Sequence, residues 1–482
     1  MKEIFRTKPI SELLKTTESK EGGLRKTLSA WDLVAFGIGC IIGVGIFVLP
    51  GQEAAIHAGP AITLSFALAG IACACSALCY AELASMIPVS GSAYTYGYAT
   101  LGEIFAWIIG WDLVLEYIVG ASLVSIGWSG YFVNVINKTL EPFGYSIPRI
   151  ICAPPIMDKN PGLINLPAVL IVTLIAVLLV RGIKESSNVN KVVVAIKILV
   201  IVIFIAIAVW HINPANWTPF MPFGFKGVMT AAAIVFLAFI GFDAVSTAAE
   251  EAVNPQKDIP IGILGSLFIA TVLYISVAAI MTGVVPYYQF ENIAEPIALV
   301  LNVINKPFAS VLISIGAIAG MTSVILVLMM GQPRILFAMS RDGLLPEVMR
   351  KVHKKFKTPY ITTIATAVIV GLASGFLPIN IVAELCSIGT LAAFAIVSGG
   401  VFVLRIRKPE LPRPFRVPWY MLISGAGFLS CITLMLSLPL VTWIRFLAWL
   451  LIGFVIYFTY GRFNARKISE KKVDGLTEEH KI

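Results

Sequence analysis

The sequence predicts an all-α integral membrane protein of twelve transmembrane helices, the first and the sixth of them discontinuous. Three observations carry that fold class. Of the 482 residues, 58% are hydrophobic and 13% charged, where soluble domains run at about 45–50% apolar and roughly 25% charged. Apolar stretches of about 20 residues, the length that crosses the hydrocarbon, recur twelve times. Two of those stretches carry glycines at a depth where a membrane helix would ordinarily continue. The polar stretches at 1–29, 138–162, 334–358 and from 462 onward are each too short for a soluble enzymatic domain of about 50 residues or more.

In order, the spans lie near 31–57, 61–87, 104–137, 164–181, 189–210, 227–252, 261–285, 308–338, 360–377, 380–404, 419–441 and 443–461. The segment 1–29 holds seven Lys and Arg residues but no short apolar run ending in a cleavage site, so the first span is expected to stay in the protein. The third is long enough for a strongly tilted helix or a helix with an amphipathic extension. The fifth contains the one lysine deep in an apolar run, Lys197. The other 35 Lys and Arg residues divide 29 to 6 in favour of the side that holds the amino terminus, which places both termini in the cytoplasm. The net charge of +9 is therefore a topology signal and not a nucleic-acid patch. Seven cysteines fall almost entirely inside apolar runs and read as small hydrophobes.

The first span packs Gly37, Gly39, Gly43 and Gly45 into nine positions, with Gly43-Val44-Gly45 near its middle. The sixth places Gly241 and Asp243 at a similar depth, in Phe239-Ile-Gly-Phe-Asp243. Unwound backbone is tolerated in a membrane only where it lines a cavity or binds something. Gly241 follows Gly43 by 198 residues, and the two spans are five apart, which suits two repeats of five helices. That is the pattern of inverted-repeat transporters, whose substrate sits at the paired breaks. Close helix packing is the ordinary alternative, because Gly39 and Gly43 form a small-xxx-small pair; the matched second break favours a binding site. The GxGxxxG spacing without a βαβ context excludes a dinucleotide fingerprint. The chemistry suits a zwitterion. Amides around Val44, Gly45 and Ile46 would present partial positive charge to a carboxylate, and carbonyls near Ile42, Phe239 and Ile240 would be unpaired acceptors for an ammonium.

At these residues the chain resembles the amino acid–polyamine–organocation superfamily and, within it, the cationic amino acid transporter branch in its twelve-span bacterial form. The resemblance runs from about Leu24 to Arg416. It rests on Ile42-Gly-Val-Gly-Ile-Phe47, on Pro88-Val-Ser-Gly-Ser-Ala-Tyr-Thr-Tyr96 leading to Gly110-Trp-Asp112, and on Gly241-Phe-Asp243 followed by Glu250-Glu-Ala-Val-Asn-Pro-Gln-Lys-Asp-Ile-Pro260. It continues through Gly331-Gln-Pro-Arg-Ile-Leu-Phe-Ala-Met-Ser-Arg-Asp-Gly-Leu-Leu-Pro346, Gly389-Thr-Leu391 and Arg413-Pro-Phe-Arg-Val-Pro418. The resemblance implies a five-plus-five inverted-repeat fold that alternately exposes an amino-acid site. Its repeats would cover 30–210 and 227–407, with helices 11 and 12 (419–461) outside them and 462–482 as a cytoplasmic tail. It also implies that Ile42, Gly43, Val44 and Gly45 form a carboxylate-binding break, and that Phe239, Ile240, Gly241 and Asp243 form an amine-binding one. Many members place an aromatic gate six residues before the acidic position of the sixth helix. That residue is Leu237 here, with Phe236 and Phe239 as the neighbouring candidates.

Lys197 lies where a small local change could move a proton on or off it. Eight residues into the span, about 12 Å, its stem could instead snorkel toward the interface. Some members that this chain resembles use a fifth-helix lysine in place of a sodium ion, paired with the first break and facing eighth-helix hydroxyls. Thr322 and Ser323 stand at such a position, which favours proton coupling. Glu116 and Asp243 are candidates to face the substrate's side chain, and the pair would suit lysine, arginine or ornithine. Asp243 could equally cap the second half of the sixth helix, and Glu116 could serve a hydrogen-bond network between helices, so substrate charge stays open. Glu82, Asp112 and Glu384 lie nearer span ends and read as solvated or structural. Asp342 with Arg341, and Glu250 and Glu251 with Lys257, read as an intracellular gate of ion pairs or as a solvated cluster.

The function expected is secondary transport of an amino acid inward with a proton, with exchange, uniport or a non-transporting sensor as alternatives. An enzyme is not expected. His57, His211, His353 and His480 are far apart, and no HExxH, P-loop or Ser-His-Asp/Glu constellation can be assembled. The partners expected are the amino acid, a proton and the lipid bilayer, without nucleic acid, metal or cofactor. The resemblance places the protein in a cell membrane, as a bacterial inner-membrane protein.

Overall fold

Backbone polar groups in hydrocarbon must be paired within the chain, and apolar stretches of this length meet that demand as helices. The computed structural model describes residues 28–87, 92–156, 161–182, 187–247, 252–291, 293–353, 355–356 and 358–465. Among these residues the only β contacts are two isolated bridges, Leu28 with Ala252 and Cys152 with Asn165. The α-helices are α1 (Ala30–Ile41), α2 (Val44–Phe47), α3 (Leu49–Glu53), α4 (Ile62–Met86), α5 (Ser92–Thr100), α6 (Glu103–Leu140), α7 (Leu166–Arg181), α8 (Ser187–Ala208) and α9 (Gly224–Val235). They continue as α10 (Ala244–Thr247), α11 (Pro255–Val284), α12 (Pro296–Val303), α13 (Pro307–Arg341), α14 (Tyr360–Phe376), α15 (Ile379–Arg407), α16 (Tyr420–Leu436) and α17 (Leu440–Ile456).

Among the described residues, eight helical stretches are long and apolar enough to cross a membrane. Four shorter apolar helices, α1, α7, α14 and α16, stand where the sequence places its first, fourth, ninth and eleventh spans. The protein is a multi-pass membrane protein. Two helices lie outside the apolar-run reading. α5 is rich in Tyr, Thr and Ser, and α12 has eight residues, too few to span. α11 begins at Pro255, ahead of the apolar boundary at 261, because a proline at the first helical position loses no intrahelical bond.

Lipid tails are as apolar as leucine, so shape and polar contacts rather than burial from water hold such helices together. The hydropathic windows of α6 and of 224–246 are 83% buried, whereas those of 192–211 and 440–465 are 33% and 22% buried. α6 is therefore a central post, and α8 and α17 face lipid. α17 is nevertheless fixed to that post. The Trp111 and Trp449 rings stack at 4.5 Å, and each indole N–H donates to the other residue's carbonyl. Trp107 donates to the Gly453 carbonyl, and the buried Glu103 accepts from the hydroxyls of Tyr98 and Tyr457.

Glu82 takes the structural branch of its reading. It sits in α4 with its side chain 1% exposed and accepts from Arg405 Nε at 2.8 Å, from Arg405 Nη2 and from the Val417 amide at 2.8 Å. Arg413 Nε completes an ion pair with it at 3.3 Å, while the Arg413 amino groups donate to the carbonyls of Lys408, Pro409 and Leu411. The segment that joins α15 to α16 is thereby pinned against the end of α4. Glu384 accepts from the Thr442 hydroxyl and pairs with Arg445 at 3.9 Å. Asp112, in contrast to a solvated group, is fully buried against Gly389.

Candidate functional site

α1 starts at a capping box in which Ser29 and Asp32 satisfy each other's amides. It stops at Ile41 because Ile42 is extended, with ψ 102, and Gly43 leaves helical geometry altogether. α2 then restarts at Val44, so the amides of Val44 and Gly45 head a new helix without intrahelical acceptors. In the sixth span, α9 tightens into a 3-10 turn over Phe236–Phe239, Ile240 is extended, and α10 begins at Ala244. Gly241, between them, has φ +115, a conformation that an L side chain would strain. The Gly241 amide donates to Asp243 Oδ1 at 3.1 Å, so this carboxylate closes the turn within the break itself.

The two breaks cross. A Cβ on Gly45 would stand 2.5 Å from Ala238 Cβ, and one on Gly241 would stand 2.8 Å from the backbone carbonyl carbon of Cys40. Neither position admits a side chain without separating the helices. Tyr274 of α11 serves both breaks at once. Its hydroxyl lies 2.9 Å from the Ile41 carbonyl oxygen and 2.7 Å from that of Ala238, so its one proton is shared between two of the carbonyls that end the first half-helices. Sequence reasoning did not single out Tyr274, although a phenol within an apolar span is the kind of group that needs a buried acceptor.

A cavity of about 50 Å³ lies at the crossing, with room for a few water molecules. Gly43, Val44, Gly45, Glu116, Leu237, Ile240, Gly241 and Asp243 line it. Ile42 and Phe239, two of the residues expected at the substrate, are fully buried beside it but do not line it. Of the three gate candidates only Leu237 faces the cavity. Phe239 packs on Tyr274 at 5.2 Å and on Phe66, and Phe236 packs on Phe394 at 5.6 Å. The wall from α6 and α13 is largely apolar, with Leu123, Val124, Val324, Val327 and Leu328 beside Tyr117. Nothing in the local sequence marked these residues, since any apolar span offers them. Glu116 stands among them with its Oε2 buried and without a hydrogen-bond partner.

Lys197 does not snorkel. It is fully buried and its Nζ donates to the Gly39 carbonyl at 2.6 Å, one turn before the first break. Its stem lies along Gly320 of α13, where a Cβ would stand 3.0 Å from Lys197 Cγ. The neighbouring hydroxyls are turned to other partners. Thr322 donates to the Ile318 carbonyl and accepts from Trp128 Nε1 at 2.9 Å, and Ser323 donates to the Gly320 carbonyl. Of the residues expected at an intracellular gate, Asp342 accepts from the Tyr94 hydroxyl at 2.8 Å, Arg341 and Lys257 are exposed, and Glu250 and Glu251 lie outside the described residues. No group of three His, Cys, Asp or Glu among the described residues is placed to hold a metal.

A family profile described as amino acid permease matches residues 28–463. The chain is 51% identical over 460 residues to the branched-chain amino acid permease BcaP of Bacillus subtilis, covering 95% of this chain and 98% of that protein. It is 46% identical over 462 residues to the methylthioribose transporter of Bacillus subtilis, covering 96% and 98%. It is 37% identical over 398 residues to the vacuolar cationic amino acid transporter 4 of Arabidopsis thaliana, covering 80% and 64%.

Proposed function

Because the chain belongs to the amino acid permease family of the amino acid–polyamine–organocation superfamily, we propose that it takes up a neutral, branched aliphatic amino acid together with a proton. It is a membrane transport protein and not an enzyme. In this reading the chain is a cell-membrane protein with both termini in the cytoplasm, built as twelve spans in a five-plus-five inverted repeat that rocks between outward-open and inward-open states.

The observation that carries the proposal is the crossing of the two breaks on one cavity. The unpaired amides of Val44 and Gly45 hold the α-carboxylate at a helix start. The carbonyl end at Ile240, which lines the cavity, holds the α-ammonium. The two charged ends of one α-amino acid thus match the two unlike ends of the broken helices. The side chain then points at Leu123, Val124, Val324, Val327 and Leu328, five apolar residues that reward aliphatic surface. The name of the branched-chain relative agrees with that wall. Lys197, held on the backbone of the first helix one turn from the break, couples a proton to the state of that break.

A cationic substrate is the second reading, and the open oxygen of Glu116 favours it. Asp243, turned back onto the Gly241 amide, contributes less to it than the sequence implied. Uptake of labelled leucine, isoleucine, valine, lysine, arginine and methylthioribose into proteoliposomes, with and without an inward proton gradient, tests the proposal. Gradient-driven accumulation of the branched-chain amino acids is the expected result. Accumulation of lysine or arginine alone would move the assignment to the second reading. Binding without accumulation or exchange would make the protein a sensor.

A further inference from the structure

A second cavity, about 640 Å³, lies between α7 and α14, and apolar lining residues of both helices, Val177, Val368 and Leu372 among them, are exposed on the outside of the bundle. Its walls are almost wholly apolar, with Val169, Thr173 and Val177 on one helix and Val368, Leu372 and Phe376 on the other. The two helices converge at one end and part toward the other. At Gly375 a Cβ would stand 2.9 Å from Val169 Cγ2, whereas one turn away, at Gly371, the nearest atoms are 4.0 Å off. The wider end is polar on its rim. Arg181, in the last turn of α7, lines the mouth together with Phe356. The Thr358 hydroxyl donates to the Val180 carbonyl at 2.8 Å and fixes the segment that carries Phe356 against the end of α7. Lys351 and Lys355 are exposed on that same segment, and no acidic side chain among the described residues pairs with Arg181.

We infer that this groove binds an anionic phospholipid, with an acyl chain between α7 and α14 and the phosphate at Arg181, Lys351 and Lys355. An apolar cleft open to the bilayer takes a lipid chain as its natural occupant. Basic side chains at only one end fix which way round the lipid lies. On the topology that the Lys and Arg distribution predicts, the mouth is on the side with the 29 to 6 excess, where anionic headgroups are attracted. From Arg181 to Thr173 is eight residues, about 12 Å, close to the depth of one leaflet in a hydrocarbon core of roughly 30 Å. The far end, at Ile164 and Phe376, carries no charge among the lining residues. The role is to brace α7 and α14 against α6, which both helices contact.

The test uses the full chain, purified in a neutral detergent and titrated with phosphatidylglycerol, phosphatidylcholine of the same acyl chains, or inorganic phosphate. Melting temperature and lipid retained in native mass spectra are the readouts. Phosphatidylglycerol is expected to raise the melting temperature by several degrees and to be retained, phosphatidylcholine to do so far less, and phosphate alone to have no effect. Arg181→Gln, at an exposed position, should leave the lipid-free melting temperature unchanged and raise the half-saturating phosphatidylglycerol concentration about fivefold, the worth of one basic side chain near an anionic surface. Gly371→Phe, which fills the floor of the groove, should abolish retention of both lipids. Equal responses to the two lipids, or an unchanged preference in Arg181→Gln, would overturn the inference. So would a response to phosphate alone, or displacement of all lipid by a bound protein helix.

Discussion

Glu82 and Glu116 are both carboxylates buried inside the helix bundle, and they are held in opposite ways. Glu82 receives two guanidinium groups and a backbone amide. Glu116 faces a small cavity with one oxygen that has no partner. The same contrast separates the backbone groups around the breaks. The carbonyls of Ile41 and Ala238 are closed off by Tyr274, while the amides of Val44 and Gly45 open the next helix with no intrahelical acceptor. In a medium where an unsatisfied polar group is costly, a completed set holds the structure together. An incomplete set beside a cavity is open to a ligand, as the Val44 and Gly45 amides are to a carboxylate.

The largest effect that would break this comparison is at Glu82. Glu82→Ala leaves Arg405 and Arg413 without their buried counter-charge, which should cost about 3–5 kcal/mol and sharply lower the melting temperature and the yield of folded protein. A variant that melts like the wild type would show that the ion network holds nothing. Next comes Gly45→Val, which thrusts a side chain into Ala238. Uptake should be abolished, and Tyr274→Phe, which frees two carbonyls without moving the crossing, should reduce it less. Lys197→Met should lose gradient-driven accumulation yet still bind substrate, because the lysine touches the first helix and not the cavity. Retained accumulation would remove the lysine from coupling. Glu116→Gln keeps the shape of the wall, so leucine uptake should change by no more than about twofold; a collapse of leucine uptake would show that Glu116 contacts this substrate.

The smallest effect concerns a third carboxylate. Glu295 precedes α12, and burial pushes its pKa from 4.5 up to about 7, against the opposing pull of Arg149. The protonated form is therefore favoured in the folded protein. The stability it contributes is complete below about pH 4.5 and is lost as the pH rises through about 7. Melting temperature should decline from pH 5 to pH 8 by a part that Glu295→Gln removes. An identical pH profile in the variant would contradict this account.

Much of the fold was legible because hydropathy and the Lys and Arg asymmetry report directly on the membrane. α5 and α12 were not, since one is not strongly apolar and the other is too short. The breaks were legible because glycine and a carboxylate at span depth have few structural excuses. What Asp243 does was readable only as two alternatives, and the structure turns it onto the Gly241 amide. Phe236 and Phe239 illustrate the limit of position counting. Both lie within two residues of Leu237, yet a 3-10 turn sends them into an aromatic cluster and leaves Leu237 at the cavity. Tyr274, Gly320 and the apolar wall depend on contacts between distant helices, and no local pattern announces them.

The central claim is that one zwitterion is held at the crossing of the two breaks. The most direct measurement is equilibrium binding of leucine and of its two halves, 4-methylpentanoate without the amine and 3-methylbutylamine without the carboxylate, to the purified protein. Each charge-assisted hydrogen-bonding end is worth about 1.5–3 kcal/mol, so each half should bind roughly 10- to 150-fold more weakly than leucine. Binding of either half with the affinity of leucine would contradict the account.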